Sequence, residues 1–112
     1  MTAYAVAHLQ SVRAGPDIVE YLQRIDATLE PYGGRFVVHG GDPDVREGEW
    51  PGDLIVIEFP DRETAIRWYE SPAYQEILPL RTDNSDGTAI IVDGVGPDHR
   101  ATDVLHPERA GA

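Results

Sequence analysis

Small and large side chains alternate from Tyr4 to Leu9, the period of two that marks a strand, until Ala14, Gly15 and Pro16 interrupt it. Past Asp17, suited to a helix N-cap or first turn beside Pro16, Ile18, Tyr21, Leu22, Ile25 and Leu29 recur at steps of three and four. That spacing lays one apolar stripe along a helix, and Gly33 and Gly34 supply the left-handed backbone that ends it. Arg35 to His39 predicts a second strand, stopped by Gly40–Gly41. From Asp42 to Gly52 neither period is present, and two prolines among several acids predict a loop carrying Trp50. Asp53 to Phe59, with Leu54, Ile55, Val56, Ile57 and Phe59, is the strongest strand pattern. Pro60 ends it, Asp61 caps a second helix, and Ala65, Ile66 and Tyr69 share one face of that helix. Ser71–Pro72 breaks it, a short helical turn is expected from Ala73 to Leu78, Asp83 to Gly87 is a turn cluster, and Thr88 to Val92 is the last strand.

Strand, helix, strand, strand, helix, strand is the split βαβ order. The expected fold class is therefore α+β: a ferredoxin-like βαββαβ sandwich, with a four-stranded antiparallel sheet and two helices on one face. Residues 1–95 are expected to form this domain. Residues 96–112 carry Gly, Pro, His and charge without a period, and a flexible C-terminal tail is expected there. A sheet with one wet face alternates apolar and polar side chains. These strands do not. Ile55, Ile57 and Phe59 oppose Leu54 and Val56; Ile90 and Val92 oppose Ala89 and Ile91; Phe36 and Val38 oppose Val37. Two helices cover one face, so the other needs a partner, and at about 25 cal/mol per Å² leaving it wet forfeits many kcal/mol. An identical sheet from a second chain is the simplest cover, and a homodimer with face-to-face sheets is expected.

Three blocks carry a resemblance. The first is Glu30-Pro31-Tyr32-Gly33-Gly34-Arg35-Phe36 with His39-Gly40-Gly41. The second is Glu47-Gly48-Glu49-Trp50-Pro51-Gly52 running into Val56-Ile57-Glu58-Phe59-Pro60, and the third is Trp68-Tyr69-Glu70-Ser71-Pro72-Ala73-Tyr74-Gln75 with Arg81 following. Together they resemble domain-of-unknown-function family 1330 of the dimeric α/β-barrel superfamily, over roughly Tyr4 to Val95. The resemblance implies a ferredoxin-like protomer whose sheet pairs with its twin to enclose a barrel. Superfamily relatives include cofactor-independent monooxygenases, muconolactone isomerase-like proteins and haem-dependent enzymes, but no established reaction carries over from the family. The stretch after Gly94 departs from the pattern, since family members tend to end there.

Charge narrows the chemistry. Twenty acidic residues face nine basic ones for a net charge of −11, and every basic residue is Arg. Phosphate backbones and anionic membrane surfaces need a basic footprint, so nucleic acid and membrane are not expected partners. Without Lys there is no Schiff base, and without Cys no disulfide, thiol nucleophile or cysteine-held metal. No apolar run approaches 18 residues, and Met1 to Gln10 reads as a strand rather than a signal peptide, so a cytoplasmic location is expected. His, Glu, Tyr and Arg remain as working groups, and no cofactor is expected.

If Ile55, Ile57 and Phe59 face the helices, Glu58 points with Leu54 and Val56 into the barrel. A carboxylate there would be a general acid or base with a raised pKa, or a structural group held by Arg or a Tyr hydroxyl. Arg35, Val37 and His39 share a face by alternation, which directs His39 to the barrel as a proton-transfer partner of Glu58, or leaves it a rim histidine. His8 shares a face with Tyr4 and Val6. Arg81 is the candidate anchor for an anionic substrate group, with a salt bridge as its alternative. Trp50, Tyr69 and Tyr74 are the remaining candidate substrate contacts: Trp50 closes a pocket mouth or packs across the dimer, and Tyr69 fits the core face of its helix. The acidic loop, Asp42, Asp44, Glu47 and Glu49, lacks the spacing of a calcium loop. His99 and His106 have no geometry fixed for metal, Ser71 and Ser85 lack the surroundings of a nucleophile, and the glycine pairs fall short of a dinucleotide fingerprint. Two readings stand: a cofactor-independent enzyme doing isomerase- or monooxygenase-like acid–base chemistry with Glu58 and His39 on a small molecule, or a non-catalytic ligand-binding or structural homodimer.

Overall fold

The computed structural model describes residues 1–105; the remainder of the expected tail, His106 included, lies outside the described residues. Four strands, β1 (Ala3–Val12), β2 (Arg35–Gly40), β3 (Asp53–Phe59) and β4 (Ser85–Asp93), form one antiparallel sheet in the order β2-β3-β1-β4. Three helices pack on one of its faces: α1 (Pro16–Leu29), α2 (Arg62–Glu70) and α3 (Pro72–Thr82). The α+β, ferredoxin-like class expected from the element order is the class observed. Between β4 and the end of the described chain lies one short 3-10 turn, Ala101–Leu105.

Local chemistry sets most boundaries. Pro16 opens α1 at a position where its missing N–H costs nothing, and Gly15 rather than Asp17 is the cap residue. Gly33, at φ 67°, ends the 3-10 turn that follows α1. Gly34 has no room for a side chain, because a Cβ there would lie 2.7 Å from the Phe59 ring. Asp61 caps α2 by accepting from the Thr64 N–H at 2.8 Å, and hydrogen bonds from Thr64 hold its carboxyl below the usual carboxylate range. The expected short turn after Ser71–Pro72 is a full helix. Ser71 accepts from the Tyr74 N–H at 3.2 Å as N-cap of α3, and the helix runs through Pro79 to Thr82. Proline removes only its own donor, so Leu80, Arg81 and Thr82 keep helical backbone beyond it.

On the helix-facing side, Ala3, Ala5, Ala7 and Leu9 of β1 line up with Phe59, Ile57, Ile55 and Asp53 of β3. The end of the sandwich near Ala3 is packed solid, with Leu29, Phe59, Ala65, Trp68 and Ile77 all buried. Toward the other end α1 leans mainly on α3 and stands off from the strands. The Ala5 and Ala7 methyls do not fill the space beneath it.

Strand β2 departs from simple alternation. Its register on β3 pairs Arg35 with Glu58 and Phe36 with Ile57, then shifts by one residue so that Val38 meets Val56 and His39 meets Ile55. An extra residue at Val37 forms a bulge, and a bulge moves every later side chain to the opposite face. His39 therefore turns to the helix side and Val38 to the open side, the reverse of the assignment from alternation. The His39 ring stacks on Phe36, with centroids 4.3 Å apart and planes 10° from parallel.

Candidate functional site

Beneath α1 the poor fit of helix to sheet leaves a cavity of about 700 Å³, within the range of small-molecule sites. Two cross-strand rows of its floor are read directly from the register, and the next pair, Leu9 with Asp53, extends it together with Val12. One row is Phe36, Ile57, Ala5 and Ile91; the other is His39, Ile55, Ala7 and Ala89. His39 is the one polar side chain in these eight positions. The roof comes from Ile18, Tyr21, Leu22 and Ile25 of α1, Ile66, Trp68 and Tyr69 of α2, and Tyr74 and Arg81 of α3.

The polar end of the cavity is built from α1 and α3. Tyr21 and Tyr74 hydroxyls lie 2.7 Å apart, and Arg81 Nη2 donates to the Tyr74 oxygen at 3.5 Å. The Arg81 guanidinium also sits 5.9 Å from the Tyr21 ring centroid, a cation–π distance. Trp68 packs on Tyr74 with centroids 4.1 Å apart and is itself fixed by donating its indole N–H to Thr28 Oγ1 at 3.0 Å. The Thr28 hydroxyl in turn donates to the Ile25 carbonyl at 2.7 Å, so the aromatic wall is tied to the backbone of α1. Tyr69 closes the same wall, 5.3 Å from the Tyr74 ring.

Burial pushes the Tyr21 phenol far above its ordinary range, with the neighbouring Tyr74 adding to the effect and Arg81 only partly offsetting it. Tyr21 stays protonated at working pH and is a donor, not a base. Burial works against the Arg81 charge, but the phenolic oxygens of Tyr74 and Tyr21 outweigh it and hold the guanidinium pKa above its usual value. Among the described residues no carboxylate pairs with Arg81, whereas Arg13, Arg24, Arg35, Arg46 and Arg62 all have acidic partners. Whichever tyrosine donates in the 2.7 Å bond, one phenolic proton is left over beside that guanidinium. This end of the cavity is thus a cluster of donors that makes no ion pair among the described residues, although the Asp53 carboxylate also lines the cavity.

Arg81, Tyr74 and Tyr69 are brought together, and His39 faces the same cavity. Glu58 and Trp50 are not part of it. Glu58 points with Leu54 and Val56 to the open face, as its alternation requires, and Arg35 holds it there at 3.3 Å. The bulge separates it from His39 by the thickness of the sheet, so the expected Glu58–His39 pair does not exist. Trp50 also lies on the open side, stacked on His8 at 4.2 Å and 15°, while His8 Nε2 reaches the Pro51 carbonyl at 2.7 Å. Tyr21 was legible in the sequence only as part of an apolar stripe. The signal that singles it out is a phenol placed where the stripe meets Tyr74 and Arg81, which needs the tertiary packing of α1 on α3. Among the described residues no three His, Asp or Glu side chains gather as a metal-binding group, and no helix is long and apolar enough to cross a membrane.

This arrangement of sheet, helices and interlayer cavity defines a small α+β protein of the ferredoxin-like class. Solved structures share it at low identity. A protein of unknown function from Rhodopseudomonas palustris is 17% identical, with 86% of this chain and 84% of that one covered at a TM-score of 0.64. A dimeric ferredoxin-like protein of unknown function from a Jannaschia species is 11% identical, covering 84% and 100% at 0.64. SnoaB from Streptomyces nogalater, a cofactor-independent oxygenase, is 12% identical, covering 88% and 96% at 0.52. At these identities the likeness is one of fold. Residues 2–95 match the family described as Domain of unknown function (DUF1330), and the chain belongs to that family. No curated protein sequence matches it.

Proposed function

We propose that the protein binds a small, largely apolar molecule between its sheet and helices, gripping an acidic or carbonyl oxygen with Arg81 and the Tyr21–Tyr74 pair, and acts on it by acid–base chemistry without a cofactor. The observation that carries this reading is the part-buried Arg81, which has the Tyr74 and Tyr21 phenols beside it and makes no ion pair with a carboxylate among the described residues. A part-buried guanidinium with no carboxylate in contact keeps its donors free for an anionic group of a ligand. Donors fixed before the ligand arrives also suit an oxyanion that develops during reaction. Tyr69 contributes wall, not charge. That one fold neighbour is a cofactor-independent oxygenase is compatible with this reading.

The working unit is proposed to be a homodimer. Ile90 is 57% exposed on the open face, where Val38, Val56 and Val92 add to an apolar surface that helices do not cover. One of the fold neighbours is dimeric. Sheet-to-sheet pairing would bury that surface and leave the cavity, on the far side of each sheet, with its own opening.

Isothermal titration with 2-naphthoate and its neutral analogue 2-naphthylmethanol tests the anchor. The carboxylate should bind at least tenfold more tightly, Arg81→Gln should erase the difference, and Ala7→Phe, which fills the floor, should abolish both. Equal affinities for acid and alcohol in the wild-type protein would overturn the assignment of Arg81.

A further inference from the structure

We propose that the ligand of this cavity is polar at both ends: besides the oxygen held by Arg81 and the tyrosines, it carries a hydroxyl or amine that donates to Asp53 across the floor. The proposal rests on the reading of the cavity given above and adds the second end of the ligand to it.

Topology keeps the two ends apart. The last turn of α3 is tied to the start of β4, where the Ser85 hydroxyl donates to the Arg81 carbonyl at 2.7 Å, so Arg81 stands beside β4. Asp53 opens β3 on the helix-facing side, level with Leu9 of β1, and Leu9 is level with Gly87 of β4. With adjacent strands ~4.8 Å apart, Asp53 lies about 10 Å across the sheet from β4. What separates them is apolar. Leu9 is buried between the two strands, Val12 lines the cavity near it, and Gly87 offers no side chain. A ligand that touches both ends therefore needs an apolar body between its polar groups.

The Asp53 end has the opposite chemistry to the Arg81 end. Among the described residues Asp53 is the one carboxylate that lines the cavity. A Cβ on Gly40 would lie 3.9 Å from Asp53 Oδ1, which places the end of β2 next to the carboxylate and His39 one residue further back. His39, stacked on Phe36, lines the same corner. Neither the Asp53 carboxylate nor the His39 ring has a hydrogen-bond or ion-pair partner among the described residues.

That corner discriminates between ligands. A carboxylate only accepts hydrogen bonds, and at the exposed rim water serves it. An apolar ligand end would displace that water without replacing its hydrogen bonds, and a second anionic end would be repelled. A hydroxyl or amine does neither. Donors at α3 and an acceptor at β3 also set a direction, with the acidic or carbonyl oxygen toward α3 and the ligand's own donor toward β2 and β3.

Naphthalenes with a carboxylate at position 2 and a varied group at position 6 test this by isothermal titration. On the wild-type protein 6-hydroxy-2-naphthoate and 6-amino-2-naphthoate should bind about fivefold more tightly than 6-methoxy-2-naphthoate, the net worth of one hydrogen bond. Naphthalene-2,6-dicarboxylate should bind more weakly than 2-naphthoate. Asp53→Ala should bring the hydroxy and amino compounds level with the methoxy one and the dicarboxylate level with 2-naphthoate, while 2-naphthoate itself binds no more weakly than to wild type. Asp53 is exposed at the first position of its strand, so the variant is expected to fold, with circular dichroism as the check; the wild-type series decides the matter without it. If 2-naphthoate binds the wild-type protein but the hydroxy, amino and methoxy compounds bind it equally, the ligand has no donor end and the cavity reading stands. An Asp53→Ala protein that is folded but loses affinity for all of them alike would overturn the inference too, since Asp53 would then only shape the cavity. If 2-naphthoate does not bind the wild-type protein at all, the cavity reading fails and takes the second end with it.

Discussion

Tyr21 shows how one hydroxyl changes what an apolar stripe does. Five tyrosines are present, and at this one burial raises the phenol pKa above its ordinary value near 10. Below that ordinary value the folded and unfolded chains both hold the proton, and the contribution of the buried phenol is fully present. Above it the unfolded chain releases the proton while the folded chain keeps it, so stability falls as pH rises toward the folded pKa. Tyr21→Phe should remove this alkaline slope, at a cost of about 1 kcal/mol at pH 7 for the lost bond to Tyr74. Urea midpoints at pH 7, 10 and 11 check it: equal alkaline losses in wild type and variant would refute the buried-phenol account. Arg81 was legible as an anchor for an anionic group, and Tyr74 as one of several aromatics gathered in two short segments. Tyr21 was not, since at helical spacing a phenol and a phenylalanine look alike.

At the scale of elements, the order of strands and helices was readable almost throughout, and the two errors have physical causes. The short turn expected from Ala73 to Leu78 is a helix that runs on through Pro79 to Thr82, because a proline late in a helix removes its own donor and the chain continues past it. The bulge in β2 could not be read at all. Phe36, Val37 and Val38 are all good strand formers, so nothing local marks which one is unpaired, and only the register on β3 decides. That one residue moved His39 away from Glu58. By contrast, the break at Ser71–Pro72 was visible, and Ser71 repays closer reading. Its hydroxyl donates to the Trp68 carbonyl at 2.7 Å and accepts from the Tyr74 N–H, joining the end of α2 to the start of α3 and setting both aromatic walls of the cavity. Ser71→Ala should cost about 1 kcal/mol in a denaturant titration, with the sheet signal in circular dichroism unchanged. A loss below a few tenths would mean that the junction is held by packing alone.

For the whole molecule, the sheet separates two problems that the sequence had merged. Both faces of β3 are apolar, and the sequence alone gave reason to look for ligand chemistry on the face without helices, where Glu58 lies. The structure places the cavity on the other side, because the alanines at 3, 5 and 7 that made β1 alternate small with large are the side facing the helices. The open face is left with the apolar surface expected of an interface. Assembly and binding should therefore be separable. Val56 sits mid-strand on the open face, between Val6 and Val38, and does not line the cavity. In the proposed dimer, which would carry twice the chain's −11, Val56→Glu would set two like charges against each other. Sedimentation velocity should show wild-type dimer that tightens as salt screens this repulsion, and Val56→Glu as monomer at the same concentration. If the variant remains folded by circular dichroism, its affinity for 2-naphthoate should lie within threefold of wild type, since Arg81, Tyr74 and Tyr21 are all held by α1 and α3 of one chain. A wild-type protein that sediments as a monomer at every concentration would remove the dimer. A folded monomeric variant that no longer binds would show instead that the second chain completes the site.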